Sequence, residues 1–233
     1  MRVARPTRKT AGDVFINVPF DTKYERLYLA LVTGVVGLGL TPRCVVEVPH
    51  DRHRLERILA LIGSCPFSIH DLSRVQLATT KKGFRVPRFN MPFELGLAVA
   101  IDLGSRSKRR RRWRVFEQEP YRLTHSLTDL NGYDQYTHHG RPERLIQELR
   151  NVFVNLPAPP INEQWRLRAM FRTVMKFRQK KLPRDIFAAK PFAELVTAAT
   201  AARDEVLARR KGPGPTGQTR RRASSRLRRG RAR

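Results

Sequence analysis

"DVFINVPFDTKYERLYLALVTGVVGLGL", residues 13–40, decides the fold. Its first six residues form a short apolar run of the kind a fully buried strand shows. "PFD" then breaks the run. From Asp21, an N-cap residue, Tyr24, Leu27, Tyr28, Leu31, Val32 and Val35 recur at helical spacing. Gly37 and Gly39 end that helix. The apolar part, residues 27–40, is shorter than the roughly 20 residues a bilayer span takes, so it reads as a core helix.

The same strand–helix alternation continues outward. "RCVVEV", 43–48, is the second strand, and Leu55, Ile58, Leu59 and Ile62 mark one face of a second helix that stops at Gly63. "FSIHDLS", 67–73, is the third strand, followed by a polar loop over 74–88. "MPFELGLAVAIDLG", 91–104, is the third helix, "WRVFEQ" the fourth strand and "YDQYT", 133–137, the fifth. "RPERLIQELRNVFVN", 141–155, closes the pattern as a helix with Pro142 near its start. Alternation of this kind predicts an α/β fold: a flavodoxin-like, doubly wound, five-stranded parallel sheet in the order 2-1-3-4-5 over 12–155.

The rest divides by composition. Residues 1–11 are a basic arm, and the proline-rich 156–162 reads as a linker. Residues 163–211 hold two helical patterns, an αα-hairpin docked on the sheet domain or on a partner. The tail, 212–233, is rich in Gly, Pro, Arg and Ser and is expected to be disordered.

Of 233 residues, 40% are hydrophobic, enough for a substantial core. The formal net charge is +27, and eleven of the Lys and Arg fall at or after Arg209 with no acid among them. The body alone keeps 36 basic against 20 acidic residues, so the chain should attract polyanions. Cys44 and Cys65 make no disulfide framework and no zinc spacing, and read as buried thiols in a cytoplasmic protein. No apolar run of signal-peptide type follows the basic start. No metal site is expected: the two histidines of "HDRH", 50–53, lack a third ligand and read as loop residues. His138 and His139, before Gly140, read as turn residues.

In an open α/β sheet, ligands bind beyond the carboxyl ends of the strands. Asn17 ends the first strand, His70 and Asp71 end the third, and Asn90 and Glu94 open the helix that follows. The topology predicts that Asp71 and Glu94 converge at one crevice. A carboxylate in the first turn of a helix feels the positive end of the dipole, which favours its ionised form. Such a group suits a developing oxocarbenium centre at a ribose. Equally, Glu94 is placed to cap its own helix, and Asp71 to cap the turn after its strand. Gly96 would let the helix lie close to the sheet.

Together, "DVFINVPFD", "SIHDLSR" and "FNMPFELGLAVA" resemble the TIR-like and nucleoside 2-deoxyribosyltransferase-like proteins. The resemblance covers about residues 12–155. It implies that Glu94 is the catalytic carboxylate, acting at the anomeric carbon of a ribosyl group, in NAD or in a nucleoside. It implies that Asp71 lies near the base and Asn17 by the sugar or phosphate. Where the transferases carry a further Asp, this chain has Arg88 and Asn90; where TIR enzymes have Trp or Cys, it has Met91 and Phe93. The expectation is an N-glycosidic enzyme, an NAD glycohydrolase with NAD as substrate and no cofactor, acting as a homo-oligomer in bacterial defence or signalling.

Two other readings stand beside it. One is a non-catalytic nucleotide-sensing or scaffold module whose basic tail docks nucleic acid. The other is a nucleoid-associated protein with the sheet domain as platform. "RSKRRRRWR", 106–114, and "RRRASSRLRRGRAR", 220–233, offer non-specific nucleic-acid contact through Arg109, Arg110, Arg111, Arg112, Arg220, Arg221 and Arg222. The first lies on the amino side of the sheet, opposite the crevice.

Overall fold

The computed structural model describes residues 12–209 apart from 77, 80–82, 84 and 106–111. The amino-terminal arm, Arg109, Arg110, Arg111 and the tail with Arg220, Arg221 and Arg222 lie outside the described residues.

Five strands make one all-parallel sheet: β1 (Asp13–Asn17), β2 (Thr41–Cys44), β3 (Phe67–Asp71), β6 (Arg112–Glu117) and β7 (Gln135–Thr137). The order is β2-β1-β3-β6-β7. Counting sheet strands alone, this is the predicted 2-1-3-4-5 order, and the fold is flavodoxin-like. A separate antiparallel pair, β4 (Ala78–Thr79) and β5 (Arg85–Val86), stands within the segment predicted as loop.

α1 (Glu25–Gly37) packs with α5 (Pro142–Val152), while α2 (Arg54–Ser64) packs with α3 (Asn90–Leu103). A short α4 (Arg122–Ser126) follows β6. Val14, Phe15 and Ile16 of β1 are fully buried, as expected of a central strand covered on both faces. α1 ends as a Schellman motif: Gly39 N–H bonds Val36 O, Leu40 N–H bonds Val35 O, and Gly39 takes φ +82°.

β2 starts and stops earlier than the apolar run suggests. Residues Val45–Glu47 form a 3-10 turn instead of continuing the strand. The Glu47 carboxylate accepts the Cys44 N–H at 2.7 Å and pairs with Arg43 at 3.0 Å. That local cap outweighs the β propensity of two valines.

The extension is part of the same packed body. α6 (Gln164–Lys181) and α7 (Ala189–Ala208) pack on each other and on α1, which is why α1 is buried on every side from Leu27 to Gly37. Gly34 and Gly37 make room: a Cβ at Gly34 would meet Leu149 of α5, and one at Gly37 would meet Leu167 of α6. Arg178 of α6 pairs with Glu25 of α1 at 2.9 Å. The proline-rich segment is seated too, with Ile161 fully buried. Among the described residues, no helix is long and apolar enough to cross a membrane.

Candidate active site

The parallel sheet leaves its carboxyl edge uncovered where β1 and β3 send their chains to opposite sides. A cleft of about 1090 Å³ opens there. Five segments line it: the end of β1 at Asn17, the turn after β2, the start of α2 at Arg54, residues 86–94 entering α3, and 187–189 at the start of α7. This is where the fold is expected to bind ligands. The cleft brings together three of the four predicted residues, Asn17, Asn90 and Glu94.

Glu94 is the fifth residue of α3, past the first turn, and makes no cap hydrogen bond. The capping alternative is therefore not what this structure shows. Its residue exposure is 8%, and Oε2 has no hydrogen-bond partner among the described residues. Burial pushes its carboxyl up to about 7, with Arg54 across the cleft pulling the other way. The expected preference for the ionised form is thus reversed. Desolvation outweighs the helix dipole, whose field fades beyond the first turn. An acid with a pKa near neutrality holds both protonation states near pH 7, as general acid–base work requires. Gly96 is exposed, and among the described residues a Cβ there would meet nothing within 4 Å, so it plays no part in bringing the helix to the sheet.

Asn17 positions this carboxylate. Its side-chain amide donates to Met91 O at 2.8 Å and meets His70 Nδ1 at 3.0 Å. With Nδ1 as acceptor, the His70 ring proton sits on Nε2, 3.0 Å from Ser68 Oγ. Burial lowers His70 to about 3, so it is a neutral core residue.

Asp71 is placed elsewhere. It is fully buried and does not line the cleft. Oδ1 accepts the Ser73 N–H at 2.9 Å, the turn-capping role. Oδ2 accepts the Tyr24 hydroxyl at 2.5 Å and faces His138 Nε2 at 3.0 Å. Burial would raise its carboxyl, but His138, Ser73 and Tyr24 together hold it below the usual range. His138, read as a turn residue from sequence, is fully buried in this network.

Ser73, His138 and Asp71 invite comparison with a catalytic triad, and the geometry refutes it. Ser73 Oγ and Asp71 Oδ2 approach the same ring nitrogen, Nε2, each at 3.0 Å. The other nitrogen, Nδ1, accepts the Gly140 N–H at 3.0 Å. A triad needs the serine and the acid on opposite nitrogens.

Sequence reading missed several residues of the cleft. Arg54 is anchored on Val48 O at 2.5 Å and stands in the lining. Arg88 also lines it, paired with Asp21 at 2.5 Å; Arg74 binds the same carboxylate at 2.7 Å. Two guanidinium groups on one carboxylate leave a net positive charge at this end. Burial raises Asp21, but the two arginines bring it below its ordinary value. Asp21 Oδ1 also accepts the Tyr24 N–H at 3.0 Å, capping the turn that leads into α1.

The rim is aromatic. Phe20, Phe89, Phe93 and Phe187 line the cleft, and Phe20 packs against Phe187 with tilted rings whose centres are 5.6 Å apart. Phe89 is 67% exposed and Phe93 53%, a large apolar surface to leave in water. Among the described residues, no group of three or more His, Cys, Asp or Glu is arranged to hold a metal ion. Cys44 and Cys65 are free and buried, and burial raises both thiols, to about 12 and about 11. Such thiols are poor nucleophiles. Arg112 is exposed at the amino end of β6, the edge opposite the cleft.

Comparison of the chain with protein-family models, with curated proteins and with solved structures gave no match.

Proposed function

We propose that the chain cleaves the N-glycosidic bond of a nucleotide, hydrolysing NAD to nicotinamide and ADP-ribose. One observation carries this reading: Glu94 is buried in a nucleotide-sized cleft at the carboxyl edge of the sheet, with one carboxyl oxygen unpartnered among the described residues. An unpaired buried polar atom is costly and calls for a partner from outside the protein. The surroundings suit a nucleotide. Phenylalanines offer faces for a base, and Arg54 and Arg88 offer charge for phosphates.

In this mechanism the ionised Glu94 faces the anomeric carbon. The C1′–N bond breaks, and its electron pair goes to the pyridinium nitrogen, which leaves as neutral nicotinamide. Glu94 stabilises the positive charge left at C1′. Water adds to C1′ and gives up one proton, which Glu94 accepts and returns to solvent. Asn17 is a positioning residue, holding the first turn of α3.

The test is base release from NAD and from a panel of nucleosides, at high protein concentration to allow for assembly. Release by wild type that Glu94→Gln abolishes while remaining folded supports the enzyme. Saturable nucleotide binding with no release sinks it.

A second reading, a nucleotide sensor without turnover, is favoured by one specific observation. Asp71, the acid expected beside the base, is spent on a buried network away from the cleft. Among the described residues, that leaves Glu94 as the single carboxylate buried in the lining.

A further inference from the structure

α6 carries seven basic residues and no acid over Gln164–Lys181. Two of them are used near at hand. Arg178 pairs with Glu25, and Arg166 stands over the Trp165 ring at 5.0 Å. Four others behave differently. Arg168, Arg172, Lys176 and Lys180 recur every fourth residue, and all four are exposed. They occupy the side of α6 opposite Leu167, Met170, Phe171 and Val174, which are buried. Among the described residues, none of the four has an ion-pair partner.

Like charges four apart on a helix repel one another and weaken it. This chain shows no lack of i,i+4 pairing elsewhere: Arg144 meets Glu148 and Arg209 meets Glu205. An uncompensated row is best explained by a counter-charge that comes from outside. From Arg168 to Lys180 the row is about 18 Å long. Successive members stand about 6 Å apart along the helix axis, so the row presents a regular series of cations to the phosphates of one strand. Trp165 stands on the same outer face, one turn ahead of Arg168, and is 64% exposed. An exposed indole beside a cationic track is a stacking platform for an unpaired base.

We propose that the outer face of α6 binds single-stranded nucleic acid, with Arg168, Arg172, Lys176 and Lys180 on the phosphates and Trp165 stacked on a base. The surface is separate from the cleft and independent of any chemistry at Glu94. Neither a base-reading geometry nor a sequence preference belongs to it.

The experiment uses the full chain and a labelled single-stranded 20-mer, with affinity followed against salt. The charge swap Arg172→Glu/Lys176→Glu is compared with Lys23→Glu/Arg26→Glu, which changes net charge equally at another exposed site. The α6 swap should weaken binding at least tenfold more than the control. It should also flatten the salt slope by about 1.4, two phosphates at about 0.7 each for a single strand. Because Trp113 is 8% exposed, quenching of the exposed indole's emission on adding oligomer reports Trp165. Melting temperature confirms that both swaps fold. Equal losses from the two swaps, or unquenched emission at saturation, overturn the proposal. So does binding to phosphatidylserine vesicles through Arg172 and Lys176 with none to the oligomer.

Discussion

The side-chain amide of Asn17 donates to the backbone carbonyl of Met91 at 2.8 Å, bonding the end of β1 to the first turn of α3. The same amide group meets His70 Nδ1 at 3.0 Å. Asn17→Ala therefore removes the tie from β1 to α3 and leaves the buried His70 Nδ1 without this donor. A loss of about 1–3 kcal/mol is expected in urea unfolding. If the cleft binds nucleotides, their affinity should fall as well, since α3 carries Glu94. Unchanged stability would mean that this link does not hold α3 in place.

Glu94 gives a prediction in which function and stability move apart. Its carboxyl is raised to about 7 in the fold, against about 4.3 in an unfolded chain. The folded state thus holds a proton that the unfolded state has released. Stability associated with Glu94 is present below about pH 4.3 and is lost as pH rises through about 7. Glu94→Gln should raise stability at pH 8, by on the order of 2 kcal/mol, and change it little at pH 4. Over the same range, glycosidic turnover by wild type should rise with pH through an apparent pKa near 7 and be absent in Glu94→Gln. Denaturant melts at the two pH values check the first statement and a pH–rate profile the second.

Acid should destabilise the fold through two groups acting in one direction. His70 is held neutral down to about 3, whereas an unfolded histidine takes up its proton near 6.5. The contribution of His70 should fall from about pH 6.5 toward 3, with a slope approaching about 1.4 kcal/mol per pH unit, opposed above about pH 4.3 by that of Glu94. Asp71 is depressed, so its contribution is present above about pH 3.9 and is lost as pH falls through its lower folded value. Equilibrium unfolding of Glu94→Gln between pH 7 and 4 isolates the histidine limb, because the opposing contribution of Glu94 is absent from that variant. A flat profile there would contradict the buried neutral assignment of His70.

Gly39 should not tolerate a side chain. Its φ is +82°, and a Cβ would stand 2.7 Å from Pro160 Cδ, on a ring that cannot rotate aside. Gly39→Ala is expected to cost about 1–3 kcal/mol, from the left-handed backbone and the clash together. A thermal melt of the full chain measures it. Retained stability would show that the 156–162 segment is not seated against α1 in solution.

Much of this architecture was legible in the order of residues. The run from Leu27 to Val36 is apolar all round, and a helix of that kind belongs inside a protein. Four of the five sheet strands lie within the stretches predicted for them or extend one residue beyond. The exception, β2, misled because two valines favour strand while Glu47, three residues past Cys44, closes a turn around them. Glu94 and Asn17 stood out because a helix start and a strand end are fixed by local pattern. Arg54 and Phe187 did not, since each reaches the cleft from a segment remote in sequence from it.

The sequence by itself determined the alternation of strand and helix, the strand order that follows from it, and the placing of Asn17, Asn90 and Glu94 at one edge. These depend on periodicity and on short-range turn chemistry, which a linear chain displays. The tertiary structure decided what each polar group experiences. It buried Glu94 and reversed the expected effect of its helix, drew Asp71 and His138 into the core, and laid α6 and α7 over α1. The physical reason is the same in each case: desolvation and hydrogen-bond partners depend on which distant segments come to lie around a residue.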